Sequence, residues 1–342
     1  MTRDQVMRLG RRRFLQGGLA LAGLGLVVGC GQASLPWQRP GKVYRVGILG
    51  ESASDSTEAR LHQALGLGLQ ERGWIEGENL LIEFRWTEGN AARIPDLAAD
   101  LVRLPVDLIL ARSSIYTQGA KEATSTIPIV FITHADPVAT GHVESLAHPG
   151  GNATGQTVLQ TELGSKHLEL LMAVVPTATR IAVLWHSDTP SHIPGLRALE
   201  EPARALGLQL QPVGVRAAAE LEGAFAAMAH EGAQAVLVLA TPFFRTERHR
   251  WVELALAHRL PTMYSNRDPV VAGALMSYGP NVDILYRSAA VYVDKILKGA
   301  KPADLPVEQA TTFDFIINLK TAQALGLAIP QSVLQQATEV IQ

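Results

Sequence analysis

Several side chains able to grip a small polar molecule stand directly after short apolar runs. Ser113 and Ser114 follow the run LILA at 108–111 and one arginine. If a helix opens there, their hydroxyls and the free backbone N–H groups of its first turn can receive a carboxylate or phosphate oxygen. The bland use of the same pair is a cap that serves only the helix. Asp136 could balance an ammonium group or cap the turn before Pro137. Tyr116, Phe243 and Phe244 offer aromatic faces or lobe core. Glu51, Ser52, His134, His186, Thr241, Asn266 and Asp268 complete the set of polar groups at such run ends. Signs of catalysis are weak. No G-x-S-x-G elbow, P-loop or H-E-x-x-H motif occurs. His134 with Asp136, and Glu253 with His258, lack a third ligand at metal-like spacing. The chemistry is therefore read as recognition, with no cofactor and no metal.

Those positions matter only if the runs before them are strands. Candidate strands of the first half are Tyr44–Leu49, Leu80–Trp86, Asp107–Ala111 and Ile127–Ile132, with helical stretches near 56–72, 91–103 and 114–124. The pattern restarts with strands Arg180–Leu184, Gln209–Gly214, Ala235–Ala240 and Pro261–Tyr264 and helical stretches near 195–206, 218–230 and 246–258. Thr154–Leu159 reads as a hinge strand, and Leu275–Tyr278, Val282–Lys298 and Thr312–Leu319 as a further strand, helix and strand. Continuously apolar strands alternating with helices predict parallel, doubly wound sheets, an α/β fold with two Rossmann-like lobes. In such sheets ligands bind beyond the carboxyl ends of the strands, which selects the residues above. Gly66 and Gly68 fall inside the first helix, so they suit close packing on the sheet rather than phosphate binding.

The chain has 342 residues, 47% apolar and 18% charged, enough for two buried cores. A formal net charge of -2 gives no support to nucleic-acid binding. The charge is uneven. Residues 1–29 carry +4, leaving -6 on the remainder. Arg11-Arg12-Arg13-Phe14-Leu15 precedes a Gly/Ala/Leu/Val run that ends at Cys30, the single cysteine. That run is shorter than the ~20 residues that span a bilayer. Arginine pair, short apolar core and Gly29-Cys30 resemble, in that order, a twin-arginine signal peptide with a lipoprotein cleavage site. Gly23, Gly25 and Gly29 precede any strand and are not a dinucleotide fingerprint. The expectation is a signal peptide over 1–29, a lipidated Cys30 and linker over 30–42, and a lipid-anchored protein in the periplasm or on the outer face of the cell membrane.

Longer stretches carry a family resemblance. They are ATSTIPIVF at 123–131, DPV at 136–138, HPGGNATG at 148–155, KHLELL at 166–171 and RALGLQL at 204–210. Later ones are LMSYGP at 275–280, YVDKILKGAKP at 292–302 and FIINLKT at 315–321. Together they resemble the ABC-transporter substrate-binding family often labelled tryptophan/tyrosine-type, over roughly residues 43–342. The resemblance implies a type I periplasmic-binding-protein fold with several hinge crossings. The N-terminal lobe would comprise 43–156 plus 277–303, and the C-terminal lobe 157–276 plus 304–342. Two departures bear on the ligand. Relatives often carry Gly-Thr-Pro-Ala where this chain has Arg112-Ser113-Ser114-Ile115, and Asn-Pro where it has His186-Ser-Asp-Thr-Pro190.

The resemblance further implies an extracytoplasmic component that captures a small molecule, an aromatic or other amino acid, for a permease and its ATPase subunit. A sensory receptor of the same fold is the alternative. For an amino acid, Ser113 and Ser114 are expected on the carboxylate, Asp136 on the ammonium, and Phe243 with Thr241 over the side chain.

Overall fold

A computed structural model of the chain describes residues 42–52 and 56–342. The expected signal peptide, Cys30 and tether lie outside the described residues. The first half builds β1 Tyr44–Gly50, α1 Ser56–Gln70, β2 Leu80–Trp86, α2 Ile94–Arg103, β3 Leu108–Arg112, α3 Ser113–Ala123, β4 Ile129–His134 and β5 Ala153–Thr157. The second half repeats the alternation with α4 Gln160–Val174, β6 Arg180–His186, α5 His192–Ala205, β7 Gln209–Val215, α6 Leu221–His230 and β8 Ala235–Val238. It continues through α7 Pro242–Thr246, α8 Arg248–Ala257, β9 Thr262–Tyr264, α9 Arg267–Val271 and β10 Met276–Pro280. The chain then forms α10 Val282–Leu297, β11 Glu308–Gln309, β12 Phe313–Asn318, α11 Leu319–Leu325, α12 Gln331–Leu334 and β13 Glu339–Ile341.

Two sheets result, ordered β11-β5-β4-β3-β1-β2 and β13-β12-β10-β9-β8-β6-β7. Within each, the first strand of the half lies between the second and third, so both halves reverse direction at the same topological point. All pairings are parallel except β10 with β12. The continuously apolar strands follow from this layering, because helices cover both faces. On one face of the first sheet Leu61, Leu65 and Leu69 of α1 meet Leu285, Ala289 and Val293 of α10. On the other, Ile94, Leu97 and Leu101 of α2 form one stripe at helical spacing. In the second lobe Leu168, Leu171 and Leu199 of α4 and α5 cover one face, and Phe225, Met228 and Trp251 of α6 and α8 the other. Each fully buried Leu, Ile, Val, Phe or Met among these contributes about 1.5–3 kcal/mol.

Gly68 packs closely, as the sequence suggests, but against a helix rather than the sheet. A Cβ there would lie 2.2 Å from the backbone carbonyl oxygen of Arg287 in α10, whereas Gly66 faces open space.

The chain crosses between sheets after β5, after β10 and after β11. The last two crossings fall a few residues later than the sequence boundaries at 277 and 303. β10 stays in the second sheet to Pro280, and β11 still pairs with β5 of the first.

Candidate functional site

The register β1–β3, Val46↔Leu108 through Leu49↔Ala111, brings Glu51 and Arg112 side by side at the carboxyl edge of the first sheet. Glu58, one helical turn before Leu61, points its carboxylate to the same place. From the second lobe, Pro242 starts the one-turn α7 beyond β8, and Arg245 in its last positions faces the first lobe. Arg245 Nη2 donates to Glu51 Oε2 and Glu58 Oε1, and Arg112 Nη1 donates to Glu58 Oε1. Arg112 Nη1 also lies 3.6 Å from Glu51 Oε1, and its guanidinium sits 5.7 Å from the ring centre of Tyr286. The result is two carboxylates and two guanidiniums, nearly sealed from water. Burial would push Glu58 up, but Arg112 and Arg245 outweigh it and hold the carboxyl below its ordinary range. For Glu51 burial wins over the same two cations, and its proton affinity is raised.

Beside this cluster lies a cavity of about 70 Å³ walled by both lobes. Ser113, Ser114 and Thr133 face it from the first lobe; Ser191, Thr241 and Asn266 face it from the second. Ser113 has φ 62 and Thr133 φ 57, left-handed conformations that side chains adopt at a cost of about 1–3 kcal/mol. The Oγ atoms of Ser113 and Ser191, Oδ1 of Asn266 and Oε1 of Glu51 are buried with no hydrogen-bond partner among the described residues. No side chain caps α3 or α5, so the N–H groups of the first α3 turn, unpaired within the helix, also face this region.

A second cavity of about 310 Å³ lies on the other side of Glu51, Thr241 and Pro242, which line both. Tyr116, His186 and Phe243 line this second space. The Tyr116 hydroxyl is 3.0 Å from Thr87 Oγ1, and the Phe243 ring packs 4.7 Å from that of His186. Phe243 and Tyr116 therefore line the second space and not the first.

Other expectations also change. Ser52 donates to Glu88 Oε2 at 2.6 Å and lines neither cavity. His134 lies behind the wall, with Nε2 2.6 Å from His142 Nδ1. Its Nδ1 accepts from the Asp136 N–H at 3.2 Å. Asp136 Oδ1 accepts from the Ala139 N–H at 2.9 Å, the turn-cap alternative, and the side chain lines neither cavity. Ser114 Oγ accepts from the Ala135 N–H at 3.2 Å. Asp268 borders a third space on the flank and pairs with Arg60 across the lobes at 3.5 Å. Among the described residues no group of His, Cys, Asp and Glu could hold a metal ion.

The central ion cluster was missed in large part. A signal for Glu58 existed, since it shares the buried stripe of Leu61, Leu65 and Leu69, where a lone carboxylate needs a partner. Arg245 lies four residues past the strand-end position Thr241, beyond the reach of the strand-end rule.

Two lobes of repeated topology, three crossings and a cavity walled from both sides define a two-lobed solute-binding protein of the type I periplasmic class. The chain belongs to the ABC transporter substrate binding protein family, whose model matches residues 53–341. It is 27% identical over 260 residues to the tyrosine-binding protein of Clostridioides difficile (strain R20291), covering 76% of this chain and 74% of that one. The fold matches an ABC domain from Streptococcus pneumonia in complex with L-Trp, with TM-score 0.80 and 26% identity over 87% of this chain and 99% of that one. Against the ligand-free, open structure of a substrate binding protein with adhesive properties from Clostridium difficile the TM-score is 0.62, at 25% identity over 88% and 100%. Here Arg245 of the second lobe reaches across to Glu51 and Glu58 of the first. Members of this family are extracytoplasmic, and among the described residues no helix is long and apolar enough to cross a membrane.

Proposed function

We propose that this protein captures a free α-amino acid outside the cytoplasm and delivers it to an ABC permease driven by its ATPase subunit. The observation that carries the reading is the set of buried polar atoms without hydrogen-bond partners around one cavity. Ser113 Oγ and Ser191 Oγ supply hydroxyls from opposite lobes, and Glu51 Oε1 supplies an acceptor. A solute carboxylate at the uncapped start of α3 takes hydrogen bonds from the Ser113 hydroxyl and first-turn N–H groups. Its ammonium donates to Glu51 Oε1, and the added positive charge offsets the burial that raises Glu51. The tyrosine- and L-Trp-binding relatives support an amino-acid class. Arg11, Arg12 and the segment ending at Cys30 support export by the twin-arginine route and a diacylglyceryl anchor on Cys30. Titration calorimetry of the purified protein against the common L-amino acids and their N-acetyl and amide derivatives tests the reading. Binding of at least one free amino acid, lost when either end is blocked, is expected. A panel with no binder, or equal binding of blocked forms, refutes it.

A further inference from the structure

We propose that the third space, on the flank of the cleft, is a second ligand site that takes a small organic dication bearing ammonium or guanidinium ends. The site stands whichever solute fills the central cavity. Its walls come from the starts of α1, α9 and α10 and from β10, β12 and β13. Four carboxylates line it: Asp268, Asp283, Asp314 and Glu339. Of the guanidiniums that border it, Arg112 is committed to Glu58 and Glu51 in the central cluster. Arg60 is shared by Asp268 and Asp283, and Arg267 makes a two-point pair with Glu339. Asp314 receives a hydrogen bond from the neutral Asn281 Nδ2 at 2.9 Å and has no ion pair among the described residues. Burial raises its carboxyl, Asn281 lowers it, and like-charge repulsion from Asp283 and Glu339 raises it again. The walls therefore carry more negative charge than their own cations answer.

Acidic walls alone are common on exposed surfaces, and a buried hydroxyl sets this space apart. Ser277 is 0% exposed, lines the space, and its Oγ has no hydrogen-bond partner among the described residues. Its neighbours Met276 and Tyr278 pack into the core beneath α4 and α5. Strand alternation turns Ser277 the other way, onto the face where Ile316, opposite it on β12, also borders the space. Asp283 Oδ1 is likewise buried without a partner, while Oδ2 of the same carboxylate holds Arg60. Buried acceptors left unpaired are costly, and ligand N–H groups remove that cost. The acceptors do not converge on one point, and among the described residues no group of His, Cys, Asp and Glu could hold a metal ion. A ligand that spreads its charge over two N–H-bearing ends suits such walls. The start of α10 opposes a cation with its partial positive charge. Asn281 already caps that turn by accepting from the Ile284 N–H at 3.1 Å, and Asp283 stands within it.

The probe is putrescine, a diamine, with butanediol as its uncharged counterpart of equal chain length. Each is titrated by calorimetry into the purified protein at constant ionic strength. Saturable binding of putrescine is expected, with none of the diol. Asp314→Asn should weaken it by about tenfold, and Ser277→Ala by about threefold. Glu51→Gln, which alters the central cavity, should leave putrescine affinity unchanged. No saturable binding to the wild type, or equal binding of the diol, overturns the proposal. So does unchanged affinity in either flank variant that keeps the wild-type circular dichroism. Loss of putrescine binding in Glu51→Gln alone would put the diamine in the central cavity and refute a second site.

Discussion

Arg245, carried by the second lobe, donates to Glu51, carried by the first, and both side chains are only 2% exposed. Neither lobe needs this pair for its own core, since the apolar clusters of each are built from other residues. Breaking a buried pair by removing one member typically costs about 3–5 kcal/mol. That cost falls on the contact between lobes. Arg245→Met should therefore enlarge the radius of gyration in X-ray scattering while the far-UV circular dichroism stays that of wild type. An unchanged radius would show that the ion pair does not hold the lobes together.

Glu51 and Asp136, the two carboxylates nearest in role to an ammonium partner, are separable by substitution. Glu51→Gln should weaken the best amino-acid ligand by roughly 100-fold or more, as expected when a buried charged partner is lost. Asp136→Asn should leave affinity within about twofold, because asparagine can still cap the turn at Ala139. Calorimetry on the two variants decides, and the opposite ranking would return Asp136 to the site.

Three buried histidines make stability depend on pH. Burial lowers His142, His167 and His192 to about 4 each. Their ring nitrogens are committed: His142 to Gln118, His167 to the Tyr278 carbonyl and His192 to the Ala240 carbonyl. The folded values lie below the unfolded one near 6.5, so these groups stabilise the fold above pH 6.5. The contribution is lost as pH falls from about 6.5 towards 4, by roughly 1.4 kcal/mol per unit for each group. Urea unfolding at pH 7 and pH 5 should show a loss of several kcal/mol. His192→Gln should flatten the dependence; an equal slope in that variant would count against the assignment.

Two glycines in one helix should respond in opposite directions. Gly68→Ala drives a Cβ into the Arg287 carbonyl, and overpacking of this kind costs about 1–3 kcal/mol. Gly66→Ala meets open space and should stabilise α1 by up to about 1 kcal/mol. Thermal unfolding of both variants measures the difference.

For the proposed anchor, Cys30→Ala should release the protein from the membrane fraction or block its processing, since stable attachment takes two acyl chains. Arg11→Lys with Arg12→Lys should separately reduce export. Unchanged fractionation with an intact N-terminus would refute lipidation.

The strands were legible because parallel sheets covered on both faces leave an unbroken apolar signature, as in β1, β3, β6 and β8. Helix α4 was not legible as a helix. Gly164, Lys166 and His167 interrupt its pattern, and it starts from Leu159 with φ 41, a residue the apolar reading assigned to the preceding strand. Ser113, Ser114, Thr241 and Asn266 were legible as cavity-lining positions because each follows a strand within a few residues. The rule fails for Arg245, which a one-turn helix carries onward, and for Asp136, whose strand end curls back on Ala139. Pairing across the lobes has no local sequence period, so the Arg245–Glu51 contact had to come from three dimensions.

The late return of α10 to the first sheet governs how the protein is made. Until residue 297 has left the ribosome, Leu61, Leu65 and Leu69 have no helix to pack against. The second sheet likewise waits for β12 and β13. Neither lobe can close its core during most of synthesis, and the long-range contacts that finish both form late. A nascent chain stalled before Val282 would present two open apolar faces at once, which makes it a substrate for chaperones and proteases rather than a smaller working receptor.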